Sequence, residues 1–66
     1  MTAWVNGEPR DLPPGATVAE LVTALGGPER GVAVAVGAEV VPRSAWTTTV
    51  LSEGARVEVL TAVQGG

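Results

Sequence analysis

With 66 residues, a net charge of −3, no cysteine and no histidine, the chain has room for one small domain. Those absences rule out a disulfide framework, a thiolate metal site and the commonest general base. The four cations are scattered arginines (Arg10, Arg30, Arg43, Arg56), and no apolar run approaches transmembrane length, so the composition argues for a cytoplasmic protein that engages neither nucleic acid nor membrane.

The elements follow in chain order. Thr2-Ala-Trp-Val5 alternates and runs into Asn6-Gly7, the strongest short hairpin signal, so Glu8 to Leu12 is expected to return as a second strand. Pro9 restricts that strand to an edge or to an irregular stretch, because proline has no N–H for the ladder. Pro13-Pro14-Gly15 then breaks the pattern. Thr17-Val-Ala-Glu20 reads as a capping box, and Val18, Leu21, Val22 and Leu25 follow as one apolar stripe of a helix. Gly26-Gly27-Pro28 ends it with a left-handed glycine and a residue that cannot continue.

Val32-Ala-Val-Ala-Val36 predicts a strand with Val on one face and Ala on the other, and Gly37-Ala-Glu39 turns it into Val40-Val41. Ser44 to Thr47 is expected to form a short turn carrying Trp46. Thr47 to Leu51 is β-prone but brief, and Glu53-Gly54 makes a tight turn before a last strand, Arg56 to Val63. Phe and Tyr are also missing. The core is therefore expected to consist of Val, Leu and Ala, with Trp4 and Trp46 as the only large side chains.

One helix cannot cover both faces of a sheet, so it should pack across one. The first and last strands, being non-adjacent in sequence, can pair in parallel at the centre. The outcome is an α+β fold of the β-grasp, or ubiquitin-like, type: a mixed four- to five-stranded sheet with one helix across one face. Residues 1–63 form this domain, and residues 64–66 form a flexible tail.

That tail carries the best candidate for chemistry. Gln64-Gly65-Gly66 presents a glycine carboxylate with no Cβ crowding the carbonyl and with φ free on both sides of zero. Such a tail can thread a narrow channel in another protein. Extended from Val63, it spans on the order of 13 Å at roughly 3.3 Å per residue. The body of the chain has little to offer beside it. Ser44 and Ser52 have no histidine to activate them, and the acids are scattered over turns and strands. No catalytic residue and no metal ligand is expected. Lysine is absent too, as suits the Gly, Ala, Val and Arg-rich output of a GC-rich genome, so chains linked through internal lysines cannot form.

Side-chain alternation in the last strand puts Val57, Val59 and Thr61 on one face and Glu58, Leu60 and Ala62 on the other. The helix stripe should cover the first set, because Glu58 is costly to bury unpaired. Leu60, Ala62 and Val63 are left as an outward apolar spot beside the tail, where a partner gripping the tail would dock.

Taken together, these pieces resemble the ThiS family, the sulfur carriers of thiamine biosynthesis. The matching residues are Asn6-Gly7, Thr17-Val18 with Leu21, Val32-Ala-Val-Ala-Val36, Val40-Val-Pro-Arg-Ser44 with Trp46, Leu51, Gly54, Val57-Glu-Val59 and Ala62-Val-Gln-Gly-Gly66. Gly37 stands where members often have Asn, and Ala55 where they often have Asp; both are turn positions.

The resemblance implies a carrier and not an enzyme, binding no cofactor of its own. A partner adenylyltransferase of the ubiquitin-activating type, using ATP and Mg, would join the Gly66 carboxylate to AMP. A sulfur-donating persulfide enzyme would convert it to a thiocarboxylate, which would pass sulfur to thiazole synthase. A carrier for molybdopterin or for tRNA thiolation keeps the mechanism, but those relatives tend to be longer, with a more aromatic core. A lysine-modifying tag and a plain ubiquitin-like interaction module complete the alternatives.

Overall fold

Strand β1 (Thr2–Val5) turns into β2 (Glu8–Asp11) through Asn6-Gly7, with Val5 opposite Glu8. Both turn residues have positive φ, 52° and 83°, as a two-residue type I′ hairpin requires and Asn-Gly readily adopts. The chain is a computed structural model that describes residues 1–26 and 31–61, Thr61 by its backbone alone. Pro9 sits opposite Trp4 in the outermost strand. Trp4 directs its own N–H away from β2, to the Ala55 carbonyl at 2.7 Å. Proline's missing donor therefore removes no bond of this pair.

The helix α1 (Val18–Ala24) begins with the capping box expected of Thr17 and Glu20. The Glu20 amide donates to Thr17 Oγ1 at 3.2 Å, and the Thr17 amide donates to Glu20 Oε1 at 2.9 Å. Val18, Leu21 and Val22 are buried and Leu25 packs at the margin of the core. Gly26 is left-handed at φ 71°. The Gly27-Pro28 part of the expected stop lies outside the described residues.

β3 (Val32–Val36) pairs antiparallel with β4 (Glu39–Val41) across Gly37-Ala38. Ala38 adopts φ 68°, a left-handed conformation that costs an alanine about 1–2 kcal/mol. β5 (Arg56–Thr61) lies at the centre, parallel to β1 and antiparallel to β3. Among the described residues the sheet has five strands in the order β2-β1-β5-β3-β4. This is the expected β-grasp, with β1 and β5 as the internal parallel pair.

The helix covers the sheet face made by Ala3, Val5, Val34 and Val57, and Leu12, Ala16, Leu51 and Trp46 close the core around it. Trp46 follows a 3₁₀ turn (Arg43–Ala45) and donates its indole N–H to the Val41 carbonyl at 3.0 Å, so its one polar atom is satisfied inside.

One expectation is corrected. Trp4 is not a core residue: it stays 44% exposed, because Ala3 and Val5 take the core face of β1 and the pleat turns Trp4 to the other side. Thr47 to Leu51, β-prone but brief, makes its one bridge outside the sheet. The Val18 amide donates to Thr49 O at 3.0 Å and the Leu51 amide to Ala16 O at 2.8 Å, with a single bridge between Thr17 and Val50. The segment pairs with the approach to the helix instead.

Candidate carrier site at the end of the last strand

β5 is the strand that leads to residues 62–66. It is held on both sides, by β1 and by β3, as far as the description extends. Its alternation is as expected: Val57 is buried, Val59 packs against the core, and Glu58 and Leu60 are exposed. Five residues expected to act, Ala62, Val63, Gln64, Gly65 and Gly66, lie outside the described residues. Leu60 is the one that can be placed, 64% exposed on the open face of the sheet.

That open face is broader than sequence reasoning expected. Strand register sets Ala33 opposite Leu60, and Ala35 between Glu58 on one side and Val40 on the other. Trp4 stands beside Arg56 in the parallel pair. Leu60, Val40 (74% exposed) and Trp4 (44% exposed) thus share one surface with Ala33, Ala35, Arg56 and Glu58. Shallow hollows flank Glu58. One is lined by Trp4, Gly7 and Arg56; the other is lined by Ala33, Ala35, Val40 and Leu60. A face of this kind suits docking, with apolar anchors for a partner and charges that set orientation. Trp4 was legible as an outward residue from the Ala3–Val5 alternation alone. Val40 required knowing that Gly37-Ala38 makes a two-residue turn.

The hairpin turn takes part in the site as well. β1 ends at Val5, so the ladder along β5 would stop with the Asn6 amide donating to Val57 O at 2.9 Å. The Asn6 side chain carries it one step further. Its Nδ2 donates to the Val59 carbonyl at 3.0 Å, and its Oδ1 accepts from the Val59 amide at 2.9 Å. At the other end, the Thr2 amide donates to Glu53 Oε2 at 2.9 Å and the Gly54 amide to Thr2 O at 2.7 Å, fixing where β5 begins. Among the described residues no three acids gather into a metal-binding group, and no helix is long and apolar enough to cross a membrane.

The sequence model of the ThiS family matches residues 3–66. A crystal structure of a thiamine biosynthesis protein (ThiS) from Geobacter metallireducens superposes with a TM-score of 0.83 at 33% identity, covering 100% of both chains. A solution NMR structure of a thiamine biosynthesis protein from the same organism gives a TM-score of 0.83 at 35% identity over 100% of this chain and 88% of that one. Among curated proteins, a thiazole synthase of Paramagnetospirillum magneticum (strain ATCC 700264 / AMB-1) is 34% identical over all 66 residues. The chain spans 20% of that relative's length.

Proposed function

The chain belongs to the ThiS family of sulfur carriers, and from that membership we propose that it carries sulfur as a thiocarboxylate on Gly66 for thiazole formation in the cytoplasm. The observation that carries the reading is the match over residues 3–66, which takes in the Gln64-Gly65-Gly66 end. A thiazole synthase that contains a stretch similar to the whole of this chain supports thiazole synthase as the acceptor, ahead of molybdopterin or tRNA thiolation.

The chemistry is divided among partners, and the chain itself is a substrate, not a catalyst. In an adenylyltransferase, with Mg²⁺ on the nucleotide, a Gly66 carboxylate oxygen attacks the α-phosphorus of ATP. Pyrophosphate leaves and an acyl-adenylate forms. Activation is needed because a free carboxylate resists nucleophiles, whereas AMP is a good leaving group. A persulfide anion on a sulfur-donating enzyme then attacks the acyl carbon, and AMP departs with the electron pair to leave an acyl disulfide. A thiol attacks the donor's sulfur in that bond. The Gly66 thiocarboxylate is released, and the donor and attacking sulfurs end as a disulfide. The thiocarboxylate is the nucleophile offered to thiazole synthase.

What this chain contributes is presentation. β5 holds the base of the tail, glycine leaves the reacting carbonyl unhindered, and the open face around Leu60 gives the adenylyltransferase a surface to grip. The test is pyrophosphate release from ATP by the cognate adenylyltransferase. Release should depend on the intact chain and vanish when Gly66 is deleted, with the melting curve unchanged. Equal release from the deletion variant overturns the proposal.

A further inference from the structure

We infer that Asn6 is a positioning residue for the tail: its carboxamide clamps Val59 and so sets where the last strand ends and the threading segment begins. The inference rests on the carrier reading above. It concerns a residue whose sequence signal, the Asn-Gly hairpin, is fully explained by the turn and gives no reason for a further role.

The geometry supplies that reason. Along the parallel pair, Trp4 N–H reaches Ala55 O and Asn6 N–H reaches Val57 O, an advance of two residues on each strand. The next step needs an acceptor for the Val59 amide and a donor for the Val59 carbonyl. The backbone cannot supply both, because Asn6 and Gly7 have turned away at φ 52° and 83°. The carboxamide has the required pair of groups, one donor and one acceptor in a plane, and it meets both Val59 atoms within 3.0 Å. A side chain 53 positions away in sequence thus stands in for a missing strand residue.

On its other edge β5 is paired with β3 through Ala33–Leu60 and Val32–Thr61. With the clamp, β5 is held along both of its edges as far as Val59, by Asn6 on one side and by β3 on the other. Without it, one edge of β5 is open from Val59 onward, and the strand can fray into the tail. Fraying from Val59 lengthens the unpaired chain between the docking face and the terminal carboxylate, which lowers the chance that both engage a partner together, as linker length does in a two-point contact. That loss falls on association and leaves the chemistry of a threaded tail intact.

Asn6→Gly isolates the effect. Glycine accepts the same positive φ, so the hairpin survives while the carboxamide is removed. In the pyrophosphate-release assay with the carrier as varied substrate, we expect KM to rise about tenfold. That corresponds to about 1.4 kcal/mol, the scale of ordering one residue's backbone. We expect kcat to stay at the wild-type value. Amide hydrogen exchange should show Val59 protected in the wild type and unprotected in the variant, with Val57 and Val34 unaltered. Asn6→Asp keeps the acceptor and the turn preference but loses the donor. It should raise KM less than glycine does, and it decides the matter if the glycine variant melts early. Wild-type KM in a folded variant, or unchanged Val59 exchange, overturns the clamp alone. If the wild-type chain supports no pyrophosphate release, the carrier reading falls and the inference with it.

Discussion

Replacing Leu60 with arginine tests whether the open face of the sheet is a docking surface. Leu60 keeps 64% of its surface in water, and fully burying a leucine side chain stabilises by about 1.5–3 kcal/mol. Covering that exposed share in an interface therefore contributes about 1–2 kcal/mol. Leu60→Arg removes this gain and asks the partner to desolvate a guanidinium. Affinity for the adenylyltransferase should fall at least about tenfold, the equivalent of about 1.4 kcal/mol. The isolated domain should notice little. Leu60 faces Ala33 on the open side, where an arginine stem can lie on the same apolar surface with its head in water, so the change should stay within about 0.5 kcal/mol. Val57→Ala provides the contrast. Val57 is 1% exposed, and losing two buried methyls there should cost about 2 kcal/mol of stability without altering binding per folded molecule. Titration calorimetry against the adenylyltransferase, read beside melting curves, separates the two. Unchanged affinity for Leu60→Arg would refute the assignment of this face.

Two further perturbations bear on the tail and the helix. Under the proposed function, in which the tail threads a partner's channel, Gly65→Val adds a branched side chain to the threading segment. It should slow adenylation strongly with the melting temperature unaltered, as steady-state kinetics and differential scanning fluorimetry on one sample would show. Thr17→Ala removes the oxygen that accepts the Glu20 amide and should cost about 1 kcal/mol, measured by urea unfolding, while adenylation per folded molecule stays the same.

What was legible in the sequence was what depends on near neighbours. The Thr17–Glu20 box, the helix stripe and the Asn6-Gly7 turn are each decided within a few residues, and each stands as expected. The Val57–Val59 face was legible because burying Glu58 without a partner is costly. Thr47 to Leu51 is β-prone because β-branched residues favour extended chain wherever it pairs, and here the pairing partner, not legible beforehand, is the residue 16–18 approach to the helix. Trp4 looked like core because of its size, but one-residue parity outranks size in a strand. The Asn6–Val59 clamp could not be read in advance: it depends on the parallel register between strands at opposite ends of the chain. The diglycine suggests chemistry from residue type alone, since glycine leaves the carbonyl most open, and its role as acceptor stands as a proposal.

The most direct measurement of the central claim is intact mass spectrometry of the chain after incubation with its adenylyltransferase, ATP, Mg²⁺, a persulfide donor and a thiol. The account predicts a product in which one oxygen has been exchanged for sulfur, located at Gly66 by fragmentation and absent when ATP is withheld. A chain that returns unmodified, or one that carries the sulfur on any residue other than Gly66, would contradict it.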